Sequence, residues 1–367
     1  MNVAVDISVL NACRTGTEEY AEGLIWGLLR LGTPVLGIGR GHQALLPDRP
    51  CLGLGPRRRS LWQKWWWETV AILHAVGPEA DIVHIPYLTH PPRPFARPSV
   101  VTVHDLIPWR LPDQYARRWR DRWYFRQVAK NLDHATALVA ISEATRADLD
   151  TVFPHLGERS TVIPNGVHPR FFQPPESRLV AEVVRRLALA RRPRILYAGG
   201  YDPRKNVRTL LQALAAVFAH RDGELVLVGA LGLGEVARWV AEAGLGGRVV
   251  STPGLSREEL VALYHAADLF VYPSRYEGFG LPPAQALAAG VPVVASRIPA
   301  VEEVVGDAGV LVEADDPGAW AEAVVGVLDS RGLAERLVSR GRQRAAEFDW
   351  LRVAARYQAL YRRLVQS

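Results

Sequence analysis

The stretch Phe270–Ala295, FVYPSRYEGFGLPPAQALAAGVPVVA, restricts what this chain can fold into more than any other. It opens within a β-branched and aromatic run, Asp268–Tyr272, that reads as a buried strand. A loop, Pro273–Gly280, follows, in which Glu277 precedes two glycines that flank Phe279. Pro282 and Pro283 stand where the first turn of a helix tolerates a missing N–H. The helix ends near Gly290, and a second buried strand, Val291–Ala295, begins at once. Two apolar strands joined through a helix predict a parallel pair. The glycine loop and the helix start predict an anion site at the sheet edge. An acidic residue beside such a site suits hydroxyl groups better than phosphate, so the pair of features suggests a sugar nucleotide.

The same alternation recurs along the chain. Strands are predicted at Val3–Val9, Val35–Ile38, Asp81–Ile85, Val100–His104, Ala137–Ile141 and Thr161–Ile163, with helices at Thr17–Leu31, Leu61–Val76, Gln114–Asp133 and Glu143–Phe153. A Pro-rich break, Pro164–Pro175, interrupts the pattern, which resumes at Arg194–Tyr197. Strands Glu224–Val228, Val249–Ser251, Asp268–Tyr272, Val291–Ala295 and Gly309–Val312 follow, separated by helices Val207–His220, Gly234–Ala243, Arg257–Ala266 and Pro283–Ala289. Three helices, Pro317–Asp329, Gly332–Glu347 and Leu351–Leu364, close the chain. The length, 367 residues, suits two domains of about 150–200 residues each. The expected architecture is α/β, two doubly wound domains facing across a cleft, 1–170 and 171–350. The last helix, within 351–367, carries one apolar face that must dock.

Composition narrows the setting. The chain is 49% hydrophobic and 22% charged, as in a folded globular protein. No apolar run reaches the length of a membrane span, and the N-terminus reads as a strand rather than a signal peptide. Two cysteines, Cys13 and Cys51, make neither a disulfide framework nor a metal motif, so a reduced, cytoplasmic setting is expected. The net charge of +6 comes almost entirely from arginine; Lys64, Lys130 and Lys205 are the lysines. That excess reflects either a GC-rich or thermophilic genome or an anionic partner.

Several clusters could carry chemistry. In Gly199–Asn206, GGYDPRKN, two glycines allow a tight turn and Arg204 and Lys205 place cations at a helix start. Cations there oppose the helix dipole unless an anion arrives, and a diphosphate would compensate them. Solvated residues of a surface turn are the alternative. The N-terminal loop ends in Gly16 ahead of Glu18 and Glu19, which satisfy that helix dipole and repel phosphate, although Gly16 could bring its backbone near a ligand. His104 follows a predicted central strand at the edge where open sheets hold ligands. It could donate to a sugar hydroxyl, shuttle a proton, or be a structural residue. Gly229–Gly234, GALGLG, has the wrong spacing for a dinucleotide fingerprint and reads as a turn. Two basic aromatic stretches, Arg57–Thr69 and Trp109–Arg126, suit a membrane interface, stacking on sugars or bases, or packing on the sheet.

With these residues assembled, the chain resembles the retaining glycosyltransferases of family 4 (the group 1 glycosyltransferases), which have the two-Rossmann GT-B fold. The likeness covers nearly the full length. The family signature, a Glu, seven residues and a second Glu, matches the segment Tyr276–Gly290 with Glu277 first and Gln285 in the second place. VHDLIPW (Val103–Trp109), AISEATRADL (Ala140–Leu149), VIPNGV (Val162–Val167) and PRKN (Pro203–Asn206) are similar to further family motifs. The resemblance implies that Glu277 and His104 lie at the reacting centre and that Arg204 and Lys205 neutralise the leaving diphosphate without a metal. Gly16, Gly199, Gly278, Phe279, Gly280, Leu281 and Gln285 would line the donor, Gln285 accepting one ribose hydrogen bond through its amide oxygen. The implied chemistry is front-face transfer with retention, from a nucleotide-sugar donor to a glycan or lipid-linked acceptor. The variants look most like bacterial mannosyltransferases of surface-polysaccharide assembly, with GDP-mannose the first expectation for the donor. A phosphorylase- or synthase-like enzyme on soluble sugars and a catalytically weak binding subunit remain alternatives. Nucleic acid is not expected as a partner; the inner face of the membrane is, through 57–69 and 109–126.

Overall fold

The computed structural model describes residues 1–8, 10, 16–39, 42–45 (backbone only) and 66–367. Cys13, Cys51, Trp62, Trp65, Lys64 and the segment 57–65 of the first basic aromatic stretch lie outside the described residues, as does the loop ahead of Gly16. The chain divides into two compact units, Met1–Gly166 with Asp349–Ser367, and Val167–Phe348.

The first unit is built on strands β1 (Val3–Asp6), β2 (Val35–Gly39), β3 (His42–Leu45), β4 (Ile82–Ile85), β5 (Ser99–Val103), β6 (Ala137–Ala140) and β7 (Ser160–Val162). Their order in the sheet is β3-β2-β1-β4-β5-β6-β7. All neighbours are parallel except β3, an antiparallel edge strand that the apolar patterning did not predict. Strands β1, β4, β5 and β6 are buried on both faces, and alternate residues feed separate cores. Val3, Val5, Ile82, Val100 and Val139 pack with helices Gly16–Arg30 and Trp350–Gln366. Ala4, Val83, Ile85, Val101, Val103 and Leu138 pack with the other face's helices.

The final helix joins the first unit because its buried residues, Trp350, Val353, Ala354, Tyr357, Leu360 and Tyr361, recur at helical spacing. It lies close against Gly16–Arg30: a Cβ on Gly27 would stand 2.6 Å from Ala354 Cβ, and one on Gly23 would overlap the Trp350 ring. Each large side chain buried there contributes about 1.5–3 kcal/mol.

The expected single helix Gln114–Asp133 is instead a short turn, Pro112–Tyr115, and a helix, Trp119–Asn131. Arg118 between them is extended, and its amide donates to the Asp121 carboxylate at 3.1 Å, so the second helix starts afresh. The expected helix Leu61–Val76 is described only from Trp66, as a wide turn Trp67–Ala71 continued by Ile72–Ala75.

The second unit has strands β8 (Arg194–Tyr197), β9 (Glu224–Leu227), β10 (Val249–Ser251), β11 (Leu269–Tyr272), β12 (Val293–Ser296) and β13 (Val310–Val312), all parallel, in the order β10-β9-β8-β11-β12-β13. Two helices were not foreseen, Ser177–Arg186 and Pro299–Val305. In both sheets the order reverses once, between β1 and β4 and between β8 and β11. Ligands of open α/β sheets bind outside the carboxyl ends of the strands at such reversals.

Candidate functional site

β8 and β11 are direct neighbours at the reversal of the second sheet, so the loops that leave their carboxyl ends meet. One carries the 3-10 turn Pro203–Lys205, the other Glu277. Two bonds stitch the loops together: the Arg275 amide donates to the Arg204 carbonyl at 2.8 Å, and the Arg204 side chain donates through Nη1 to the Tyr276 carbonyl at 2.6 Å. Asn206 ends the turn in the left-handed region at φ 55°. Its amide donates to the Ala314 carbonyl at 2.7 Å, and Thr209 donates to its Oδ1 at 2.7 Å. Asparagine tolerates this conformation better than most residues, which explains its place after Lys205.

Glu277 is the hub of the site. Its Oε1 accepts from Lys205 Nζ at 2.6 Å, from the Tyr272 hydroxyl at 2.8 Å and from Ser274 Oγ at 2.5 Å, and lies 3.0 Å from Arg204 Nη1. Among the described residues Oε2 has no hydrogen-bond partner. The carboxylate is thus held through one oxygen and offers the other as an acceptor. Burial raises its pKa, but Lys205 and then Arg204 outweigh that and leave it below the ordinary value. Lys205 donates a second time, to the Tyr272 hydroxyl at 2.9 Å. An ammonium has three protons, so one is left for a further acceptor. Arg204 also pairs with Asp202 at 3.4 Å.

Helix Leu281–Ala289 begins beside this cluster, with Gly280 at φ 105° as its cap and no side chain capping its amides. Pro282 and Pro283 remove two N–H groups that would otherwise lack partners. The partial positive charge of the start is available to an anion.

Other expected donor residues have structural roles as well. A Cβ on Gly199 would stand 2.7 Å from the Tyr197 hydroxyl, which donates to the Gly200 carbonyl at 2.5 Å. Phe279 turns its ring into the unit, edge-on to Phe348 at 5.3 Å, so only its backbone is placed for a ligand. Leu281 is half-buried at the helix start. Gln285 is buried, and its amide oxygen accepts from the Tyr264 hydroxyl at 3.3 Å.

The remaining expected residues belong to the first unit. Gly16 opens its helix, and a Cβ there would meet nothing within 4 Å among the described residues. His104 follows β5, half-buried, and its Nε2 donates to the Pro86 carbonyl at 2.9 Å. Burial pushes its pKa down to about 4, partly offset by that bond. The imidazole is therefore neutral at pH 7, with Nδ1 as a lone-pair acceptor and no partner among the described residues. Nε2 is committed to Pro86, which is the structural role read from the sequence. Nδ1 adds a capacity not read from the sequence, that of accepting from a hydroxyl.

Tyr272 and Ser274, which orient Glu277, were missed by sequence reasoning. The available signal was the Ser three residues before the Glu, in reach of its carboxylate within a tight loop. Among the described residues no group of three or more His, Cys, Asp and Glu is placed to hold a metal ion, and no helix is long and apolar enough to cross a membrane.

Comparison with known proteins places these features in context. Residues 183–344 match the family described as glycosyl transferases group 1, and residues 14–171 match glycosyltransferase family 4. Over 282 residues the chain is 38% identical to the MMP alpha-(1->4)-mannosyltransferase of Mycolicibacterium hassiacum, covering 73% of this chain and 66% of that protein. It is 32% identical over 256 residues to O-antigen chain mannosyltransferase B of Escherichia coli, covering 69% and 67%. These matches thus span about two thirds of the relatives' length. The sucrose-phosphate synthase of Thermosynechococcus elongatus has a similar structure, with a TM-score of 0.77 and 24% identity over 99% of both chains. The lipopolysaccharide glycosyltransferase WaaG gives a TM-score of 0.74 at 18% identity, over 98% of this chain and 99% of that one. Anabaena HepE, solved with UDP and glucose, gives 0.74 at 16%, over 99% of both.

Proposed function

The chain belongs to the group 1 glycosyltransferases of family 4 and has their GT-B fold, and from that membership we propose that it moves a hexose, with retention, from a nucleoside-diphosphate sugar to a glycan or lipid-linked acceptor. The observation that carries this reading is Glu277, anchored through Oε1 and offering Oε2 beside Lys205 and Arg204. A fixed acceptor suits sugar hydroxyls, while the cations and the uncapped helix start suit a diphosphate. As the glycosidic bond to the diphosphate breaks, negative charge grows on the leaving oxygens. Lys205, Arg204 and the amides around Gly278–Leu281 stabilise it, which is the role a metal ion plays elsewhere. The departing diphosphate takes the acceptor proton, so no side chain need act as base. His104 accepts from a donor-sugar hydroxyl through Nδ1 and fixes the ring for attack.

Mannose, from GDP-mannose, is the proposed donor sugar; the mannosyltransferases at 38% and 32% identity support it. The test is a panel of GDP, UDP, ADP and dTDP in thermal melts, followed by hydrolysis and transfer assays with the matching sugar nucleotides. GDP alone should raise Tm and GDP-mannose alone should turn over. A shift with UDP instead would overturn the mannose assignment, and no shift with any nucleotide would overturn the transferase reading.

A membrane-borne acceptor is supported by the second basic aromatic stretch. Trp119 and Trp123 are 73% and 49% exposed, one helical turn apart, amid exposed Arg117, Arg118, Arg120, Arg122 and Arg126. Trp66 is exposed as well, whereas Trp109 packs edge-on to Phe125 and Phe153. Co-sedimentation with anionic vesicles should be lost when Trp119 and Trp123 become serine. Binding that survives the double substitution would remove this surface from the proposal.

A further inference from the structure

The first unit contains a closed chain of polar groups in an otherwise apolar core. The Tyr20 hydroxyl donates to the Tyr357 hydroxyl at 2.7 Å and lies 2.8 Å from Thr102 Oγ1. Thr102 Oγ1 lies 2.9 Å from His84 Nε2, and His84 Nδ1 bonds the Tyr361 hydroxyl. All five side chains are fully buried. They come from helix Gly16–Arg30, β4, β5 and helix Trp350–Gln366. Such a network is costly unless every member is satisfied, and here each has a partner.

One member touches something outside the network. The Tyr20 ring packs edge-to-face on the His104 imidazole, with centroids 4.7 Å apart and an interplanar angle of 85°. Trp350 in turn packs on Tyr20 at 5.6 Å. The last torsion of a histidine is broad, and a single hydrogen bond from Nε2 to Pro86 leaves the ring free to swing about that bond. A flat neighbour at right angles removes that freedom. We infer that Tyr20 is a positioning residue for His104, its ring setting the direction of Nδ1 and its hydroxyl being fixed by Tyr357. The C-terminal helix thereby sets the aim of a side chain on β5's carboxyl edge.

This inference rests on the proposed role of His104 only for its effect on turnover, and the test separates the two. Imidazole nitrogen shifts of His104 are recorded on the ligand-free protein at pH 7 for wild type, Tyr20→Leu, Tyr20→Phe and Tyr357→Phe. Wild type should show one neutral tautomer protonated on Nε2. Tyr20→Leu should move the shifts toward a mixture of tautomers. Tyr20→Phe, which keeps the ring but loses the bond to Tyr357, should shift the pattern far less than Tyr20→Leu and about as much as Tyr357→Phe. Tyr357→Phe should shift it in the same sense as Tyr20→Leu but less. In turnover, Tyr20→Leu should lower kcat about tenfold with KM for the sugar nucleotide within about twofold, and Tyr20→Phe should recover at least about half of the rate. Wild-type shifts in a folded Tyr20→Leu protein would overturn the inference. If that variant fails to fold, wild-type shifts in Tyr357→Phe would overturn the link to the C-terminal helix. Altered shifts with unchanged turnover would retain the positioning and overturn instead the role given to His104.

Discussion

At the carboxyl edge of the second sheet the groups that matter are charged and reach one another through loops; at the same edge of the first they are neutral and held through the core. Glu277, Lys205 and Arg204 come from two adjacent loops and neutralise one another within 3.0 Å. His104 is uncharged, and its neighbours Pro86 and Tyr20 hold it by one hydrogen bond and one aromatic face. The difference follows from the roles proposed for the two edges. A leaving diphosphate needs compensation of charge that grows during the reaction, which only ions and oriented amides supply strongly. A neutral sugar hydroxyl needs a directed acceptor and nothing more. Charged groups can be carried on loops because their mutual attraction organises them. A neutral acceptor has no such pull and is aimed by packing.

The sharpest way to break this comparison is to neutralise each side in turn. Glu277→Gln keeps the shape but replaces an acceptor with a donor facing two cations, and kcat should fall about 100- to 1,000-fold. His104→Gln should cost only about tenfold in the same steady-state assay. Equal losses would mean that both edges stabilise charge. Glu277→Ala is a poorer probe than Glu277→Gln. It strips a buried carboxylate from Lys205 and Arg204, and should also destabilise the unit by about 3–5 kcal/mol.

Acid should separate the units next. Burial pushes His84 down to about 3, helped by His104, and pushes His90 and His104 down to about 4. Between 6.5 and 4 the unfolded chain takes up protons that the folded imidazoles refuse. Stability of the first unit therefore falls as pH drops through that window, by up to about 1.4 kcal/mol per pH unit for each histidine. Asp6, raised above 3.8 by burial against the opposing bonds of Tyr87, Ser8 and Trp67, works in the opposite sense and offsets part of the slope. In the second unit Glu277, whose pKa is lowered, loses its contribution only as pH falls below 4.5. His265, lowered by burial and then by Arg342, shares the histidine sign but is a single group. Hydrogen exchange at falling pH should show β4, β5 and β6 losing protection before β8 and β11. Simultaneous loss, or the reverse order, would contradict the assignment.

The smallest effect is local. Asn206→Ala forces an ordinary residue into the left-handed region and removes bonds to Ala314 and Thr209, for a cost of about 2 kcal/mol in urea unfolding. Asn206→Gly should recover roughly half of it, since glycine tolerates the conformation. Exchange in the first unit should not change.

The same contrast explains what could be read without a structure. Glu277, Lys205 and Arg204 were legible because charge is visible residue by residue and the loops follow strands whose apolar runs are unmistakable. The doubly wound sheets were legible for the same reason. Edge strand β3 was not, because an outer antiparallel strand needs no continuous apolar run. The break at Ala116–Arg118 was hidden because the Asp121 carboxylate makes it, and aspartate is unremarkable inside a helix pattern. Least legible was the Tyr20 network, whose members lie far apart in the chain and whose tyrosines are indistinguishable from core aromatics. At Gln285 the signature could not foretell the Tyr264 hydroxyl that lies 3.3 Å from its amide oxygen.

The return of Asp349–Ser367 to the first unit has a consequence for how the chain is made. The apolar face of helix Gly16–Arg30, with Leu24 and Leu28, is covered by residues that leave the ribosome after the whole of the second unit. The second unit, contiguous from Val167 to Phe348, has its whole sequence available earlier. The unit begun earlier is therefore completed after the other, and in the interval its uncovered helix face is a binding site for a chaperone.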